Sequence, residues 1–306
     1  MSLGDFSMTL SFHQFIDLPP HQSGGFDHAD VHVSSGRVYV AHTAIGGVEV
    51  LDGEKSRHIS TIPRCSEASG VICAQEENLI FAAARGNGDI LVIDALTKRV
   101  LKTLKAGSKP NGIAWDSQRK QLLVADVGDF NVRLIDLSSE KLIASLKLPG
   151  RPRWCSYSSK SDLFLVNIHE PSRLVALIPN TLTERSFMSV SVAGAHGLDI
   201  DEKNDRAFVA CDGGAVVILD LNTGREEAAV PIVGEPDVVW YNPGRHLLYC
   251  AIGRPGLIEV IDTKELVVNE RIVTEEGAHT FTFDQKRQKL YAFLPKSCRA
   301  AVYKET

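Results

Sequence analysis

No apolar stretch in the chain approaches the roughly 20 residues that a helix needs to cross a bilayer, and Met1 to Pro19 lacks the basic, apolar, small-residue order of a signal peptide. As it stands the chain therefore reads as cytoplasmic, or as periplasmic or secreted where a leader has been removed. Clusters of Lys and Arg are missing too. With those residues scattered and a net charge of −5, nothing supplies the electrostatic footprint that nucleic acid or an anionic membrane surface requires. The six cysteines, Cys65, Cys73, Cys155, Cys211, Cys250 and Cys298, form no CxxC pair and no Cys/His spacing suited to zinc. Most lie in apolar strand patterns and read as buried free thiols, although Cys211 and Cys250 fall at similar places in adjacent repeats, which leaves a bridge open. There is no GxSxG and no Ser or Cys linked by sequence to a His and an acid. Arg85-Gly-Asn-Gly and Asp212-Gly-Gly are tight turns and not phosphate loops. Linkers and low-complexity tracts are absent as well, so a hydrophobic content of 44% over 306 residues is available for one continuous core.

What is present is a repeat. An aliphatic run ending in acid returns at Asp52, Asp94, Asp136, Asp220 and Asp262, in steps of 42, 42, 84 and 42; Ile178 holds the missing slot and Lys304 follows Asp262 by 42. Seven copies fill nearly the whole chain. The third shows the unit: Gly112-Ile-Ala-Trp-Asp116, Gln121-Leu-Leu-Val-Ala125, Val132-Arg-Leu-Ile-Asp136 and Lys141-Leu-Ile-Ala-Ser-Leu146. These are short runs rich in β-branched and aliphatic residues and bounded by turn formers, the pattern of an antiparallel meander. A period of this length built from strands marks a β-propeller. The expectation is an all-β, seven-bladed β-propeller with four-stranded antiparallel blades, one domain over residues 1–306. The periodic acid ends the third strand, where its carboxylate can bond turn N–H groups, so the series is structural. The last copy offers only three strands, His279 to Asp284, Lys289 to Leu294 and Arg299 to Lys304. The segment Thr9 to Leu18 is expected to supply the fourth and close the ring, leaving no open edge between first and last blades.

Propeller topology then predicts a site. Loops leading into the inner strands, and loops joining second to third strands, open on one face and rim one mouth of the central channel. The head of the inner strand carries His28, Ser69, Asn111, Arg153, His196, Asp237 and His279, every one polar, with Pro110, Pro152 and Pro236 stiffening the approach in three blades. The second-to-third-strand loops add His42, Arg85, Asp126, His169, Asp212, Arg254 and Lys296. From these, His28, His42, Asn111, Asp126, Arg153, His169, His196, Asp212, Asp237, Arg254 and His279 are the candidate ligand-binding residues. Blades seven and one are neighbours in a closed ring, so His279, His28 and His42 should approach one another. His28, His196 and His279, with an acid such as Asp27 or Asp30, form a candidate site for a divalent metal (Ca, Mg or Zn). His13, His21, His32, His58 and His246 lack this convergence and read as surface or strand residues. Trp115, Trp154 and Trp240 recur in the inner strand and read as packing between blades. A polar residue at the head of an inner strand also has a plainer use, satisfying loop N–H and C=O groups.

Arg37-Val-Tyr-Val-Ala-His-Thr followed by Val48-Glu-Val-Leu-Asp52 resembles the YVTN, or YncE-like, propeller repeat. Ala195-His-Gly-Leu-Asp-Ile-Asp201 and Ala278-His-Thr-Phe-Thr-Phe-Asp284 carry the same theme. The resemblance spans essentially the whole chain and implies a binding or scaffold protein, often an exported one. The chain departs from the signature at Ala41-His42, where Thr-Asn would stand. Lys109-Pro-Asn-Gly-Ile-Ala-Trp-Asp116 is similar to SMP-30/gluconolactonase propellers, which implies a channel-mouth metal held by Glu, Asn and Asp. Asn111 and Asp237 match ligands of that kind, and His196 stands where an Asn would; an N-terminal Glu ligand is missing. The chain thus supports two readings of one mouth: a monomeric, non-enzymatic disc binding a small polar molecule or a peptide, or a metal-dependent hydrolase, lactonase or lyase.

Overall fold

The structure is a computed structural model that describes residues 9–306. Its strands form seven four-stranded antiparallel sheets, each running inner to outer in chain order except the last. The third blade consists of Pro110–Asp116, Gln121–Asp126, Asn131–Asp136 and Lys141–Lys147, so the expected meander is present. In the seventh blade Phe281–Asp284, Lys289–Leu294 and Arg299–Glu305 are joined by the N-terminal strand Leu10–Asp17. That strand runs antiparallel to the C-terminal one, from Leu10 opposite Glu305 to Asp17 opposite Arg299. The ring closes as the sequence predicts. Among the described residues no helix is long and apolar enough to cross a membrane.

The periodic acids cap turns. Asp94 Oδ1 accepts from the Leu96 and Thr97 N–H groups at 3.0 and 2.6 Å, and Asp220 Oδ1 from Asn222 and Thr223 at 2.8 and 2.9 Å. A second acid series, at the end of the inner strand, escaped the sequence reading: Asp116, Asp201 and Asp284 are buried and each holds an arginine, Arg119, Arg206 and Arg287.

Between neighbouring blades lies a hydrophobic cluster; the seven clusters around the ring include one shared by the seventh and first blades, with Ile16, Leu18, Val38, Leu51, Phe293 and Val302. One second-strand position supplies a large residue in each blade, namely Tyr39, Phe81, Leu123, Leu165, Phe208, Tyr249 and Tyr291, at most 1% exposed. Trp115 packs on Phe81 across the second and third blades, and Trp240 stacks on Phe283 across the sixth and seventh, as expected of inter-blade packing. Trp154 reaches farther and stacks on His28 from the first blade at 3.7 Å. All six cysteines are free; five are buried and Cys298 is half-buried, so Cys211 and Cys250 form no bridge.

Candidate functional site

The polar residue at the head of the inner strand sits in a β-bulge. Pairing between first and second strands skips from Ala68 to Val71, Pro110 to Ile113, Pro152 to Cys155, Ala195 to Leu198 and Pro236 to Val239. Ser69, Asn111, Arg153, His196 and Asp237 fall in these gaps. A bulge leaves its residue unpaired and re-aims the side chain, and here five blades use it at the same place. Glycine follows three of the five because the next blade's backbone comes close: a Cβ on Gly197 would meet the Asp237 carbonyl oxygen at 2.0 Å. In the fourth blade Trp154 takes the slot that Gly70, Gly112 and Gly197 occupy elsewhere.

Six of the sequence-predicted residues, Arg153, His196, Asp212, Asp237, Arg254 and His279, line one mouth cavity of about 680 Å³ together with Lys296, a size typical of small-ligand pockets. His196 lies between two of its carboxylates. Its Nδ1 is 2.9 Å from Asp212 Oδ1 and its Nε2 is 3.2 Å from Asp237 Oδ1, so each ring nitrogen faces a carboxylate. His169 Nε2 meets the other oxygen of Asp212 at 2.9 Å, and His279 Nε2 lies 3.8 Å from Asp237 Oδ2. Burial would raise the carboxyl of Asp237, but the nearby His196, His28, His279 and Arg153 outweigh it and hold that carboxyl down at about 2. Burial likewise acts against Asp212, and His196 with His169 and Arg153 again outweigh it and pull the carboxyl below its ordinary range. Asp237 Oδ1 is nonetheless buried without a well-aligned hydrogen-bond donor.

Of the remaining candidates, His169 reaches the rim through Asp212, and the others do not line this cavity. His28 is 6% exposed, stacked on Trp154, and burial lowers its pKa; it lines a second cavity together with Asp237 and acts on that carboxylate. Asn111 Oδ1 accepts from Arg85 Nη1 at 2.9 Å. Asp126 is fully buried, holds Arg133 Nη1 at 2.8 Å and accepts from the Lys109 and Gly128 N–H groups at 2.9 and 2.8 Å. His42, expected beside His28 and His279, is instead fully buried: its Nδ1 meets Glu49 Oε1 at 2.8 Å and its Nε2 meets His21 Nδ1 at 2.7 Å. Glu49 also takes His58 Nε2 and the Thr61 hydroxyl at 2.7 Å each. His21 and His58, read from sequence as isolated, therefore belong to a network centred on Glu49. The register places a residue at one end of the sheet but not at a given depth, and at His42 an acid on the adjacent strand captures the ring.

The candidate donors for a divalent ion are engaged with one another or with neighbouring side chains. Asn111 is engaged by Arg85, the imidazoles near Asp237 turn toward its oxygens, and among the described residues no group of three His, Cys, Asp or Glu side chains has the spacing to hold one.

A smaller cavity of about 220 Å³ shares Asp237 with the mouth and is walled by Trp154, Trp240, Ile72 and Phe281. Asp30 and Asp199 face this space. Each carboxylate bonds two N–H groups, one in the next blade: Asp30 to Cys73 at 2.7 Å, Asp199 to Tyr241 at 2.6 Å. Burial still pushes the carboxyls up to about 6 and about 7. With the folded value raised, the unfolded chain ionises first, so both groups withdraw stability as pH rises from about 4 toward those values. Asp199→Asn removes one such group, and its unfolding midpoint is expected to gain on wild type as pH rises from about 4 to about 7; thermal melts of both proteins across that range check this, and a constant difference would count against it.

Fold and site together define the class: a seven-bladed β-propeller whose channel mouth gathers imidazole, carboxylate and guanidinium groups. Beyond that class no protein-family model matches the chain, and no curated protein matches it.

Proposed function

We propose that the protein is a non-enzymatic binding propeller of the YVTN, YncE-like kind, acting as a monomer and taking a small polar molecule or a peptide at the channel mouth. The observation that carries this reading is the convergence of Arg153, His196, Asp212, Asp237 and His279, from three blades and the seventh, on one cavity of ligand size. Propellers as a fold serve many functions, so the argument rests on the site and not on the scaffold. A screen of polar metabolites and peptides by thermal shift is expected to find a ligand whose affinity falls about tenfold or more in His196→Ala and in His279→Ala, the effect of removing a charge-assisted hydrogen bond. Ligands bound equally well by both variants would place binding elsewhere.

A second reading, a metal-dependent hydrolase, lactonase or lyase at the same mouth, draws support from the imidazoles of His28, His196 and His279 around Asp237 and the unsatisfied Asp237 Oδ1. Elemental analysis of the purified protein separates the two. Stoichiometric metal that is lost in His28→Ala and His279→Ala favours the enzyme; ligand binding by metal-free protein favours the binding disc.

A further inference from the structure

Most partly buried arginines among the described residues are paired with a carboxylate; Arg37 instead donates to the Ala95 and Leu96 carbonyl oxygens and Arg173 lies over the Phe187 ring. Arg119 holds Asp162 at 2.6 Å and Asp116 at 2.8 Å; Arg133 holds Asp126 at 2.8 Å; Arg206 and Arg287 hold Asp201 and Asp284 at 3.1 Å. Arg153, in the bulge of the fourth blade, has no carboxylate partner among the described residues. Its one side-chain contact is Nη2 to His196 Nδ1 at 3.3 Å, and that nitrogen is already 2.9 Å from Asp212. Its Nε is buried without a hydrogen-bond partner. Burial accordingly lowers the guanidinium's pKa, with the more distant Asp237 and Asp212 only partly opposing it. A buried charge left unpaired is costly, and a folded protein keeps one where something else completes it. At the outer rim Arg254 and Lys296 both reach Glu276, at 3.5 and 2.6 Å, with Glu235 also on the lining.

Resting on the reading of the mouth as a ligand site, we propose that its ligand bears a carboxylate, which enters between the outer Arg254 and Lys296 and is held by Arg153. The planar guanidinium fork matches the two oxygens of a carboxylate. Asp212 and Asp237, both within the same cavity, oppose a second negative charge at this point, so a singly charged carboxylate is favoured over a phosphate. The remainder of the ligand faces His196, Asp237 and His279, which can accept or donate hydrogen bonds and thereby select among carboxylates.

Acetate, benzoate and inorganic phosphate are the probes, with glucose and choline as uncharged and cationic controls, each titrated by saturation-transfer NMR. At least one of the two carboxylates is expected to bind wild type more tightly than phosphate. Its affinity should fall about tenfold or more in Arg153→Gln, less in Arg153→Lys, and about two- to threefold in the exposed Arg254→Gln. Should Arg153→Gln fail to fold, Arg153→Lys and Arg254→Gln carry the test, since both keep or barely disturb the interior. Carboxylate binding that all three variants leave unchanged, or phosphate binding more tightly than either carboxylate, overturns the proposal. Glucose or choline bound in a manner that His196→Ala abolishes, with no carboxylate bound, overturns it while leaving the mouth a ligand site. A mouth that takes none of the five probes overturns it too, and whether the broader reading survives is then decided by the metabolite screen.

Discussion

Deletion of residues 1–17 is expected to abolish cooperative unfolding. The deleted strand carries Leu10 and Ile16, 2% and 3% exposed, and full burial of such side chains contributes about 1.5–3 kcal/mol each. It also supplies every backbone partner of Arg299–Glu305 from the outer side, and removing it uncovers Ala300, Val302 and Tyr303 in two inter-blade clusters. Together these losses are comparable to the roughly 5–15 kcal/mol that holds a whole domain folded. The newly open edge would also pair with other chains, so gel filtration should show aggregate and urea titration no sigmoid. Phe12→Ser with Phe15→Ser is the control: both rings lie on the same strand but are about half exposed, 52% and 49%, and that double variant should unfold within about 1 kcal/mol of wild type. A deletion variant that unfolds cooperatively near the wild-type midpoint would mean that the seventh blade does not need its fourth strand.

That strand was legible in the sequence because of arithmetic. Once Asp52, Asp94, Asp136, Asp220 and Asp262 fixed the period, the last copy was one strand short and only Thr9 to Leu18 could complete it. The bulges were not legible. Alternation of apolar and polar residues reports which face a side chain takes, and one extra residue in a strand disturbs that alternation no more than a short loop does, so the third blade's inner strand was read from Gly112 and in fact begins at Pro110. Yet the bulge is what turns Asn111, Arg153, His196 and Asp237 from ladder residues into rim residues.

The site was legible to the same depth. Register brought Arg153, His196, Asp212, Asp237, Arg254 and His279 to one mouth because it depends only on strand order, which the repeat supplies. It misjudged His42, and left Asp126 and Asn111 satisfied within the protein, because what captures them stands at other registers: Glu49, Arg133 and Arg85. One signal was available. Glu49 occupies the position, three before the turn acid, that Leu91 and Val217 hold in other blades, and a carboxylate in an apolar register requires partners. In the sixth blade the equivalent Glu259, also fully buried, has Arg271 at 2.7 Å; in the first blade the partners are two histidines and a threonine.

Glu49→Ala is expected to cost about 1–3 kcal/mol or more, the scale of leaving a buried hydrogen-bonding group without its partner, measured as the change in urea unfolding free energy. The substitution strips the fully buried His42 Nδ1 of its acceptor and leaves a void where His58 and Thr61 also converged. pH gives the effect a signature. Burial acts to raise the Glu49 carboxyl, but hydrogen bonds from His42, Thr61 and His58 outweigh it and hold the carboxyl below its ordinary range. A depressed folded value means that the stabilisation is fully present above the unfolded value of about 4.3 and is lost as pH falls through the folded one. The gap between wild type and Glu49→Ala should therefore shrink below about pH 4. Provided the variant is assayed where it remains folded, ligand affinity at the mouth should not change, because His42 lies outside that cavity. Lost affinity with intact stability would instead return His42 to the ligand site, since it would mean that the ring serves the mouth and that Glu49 only orients it.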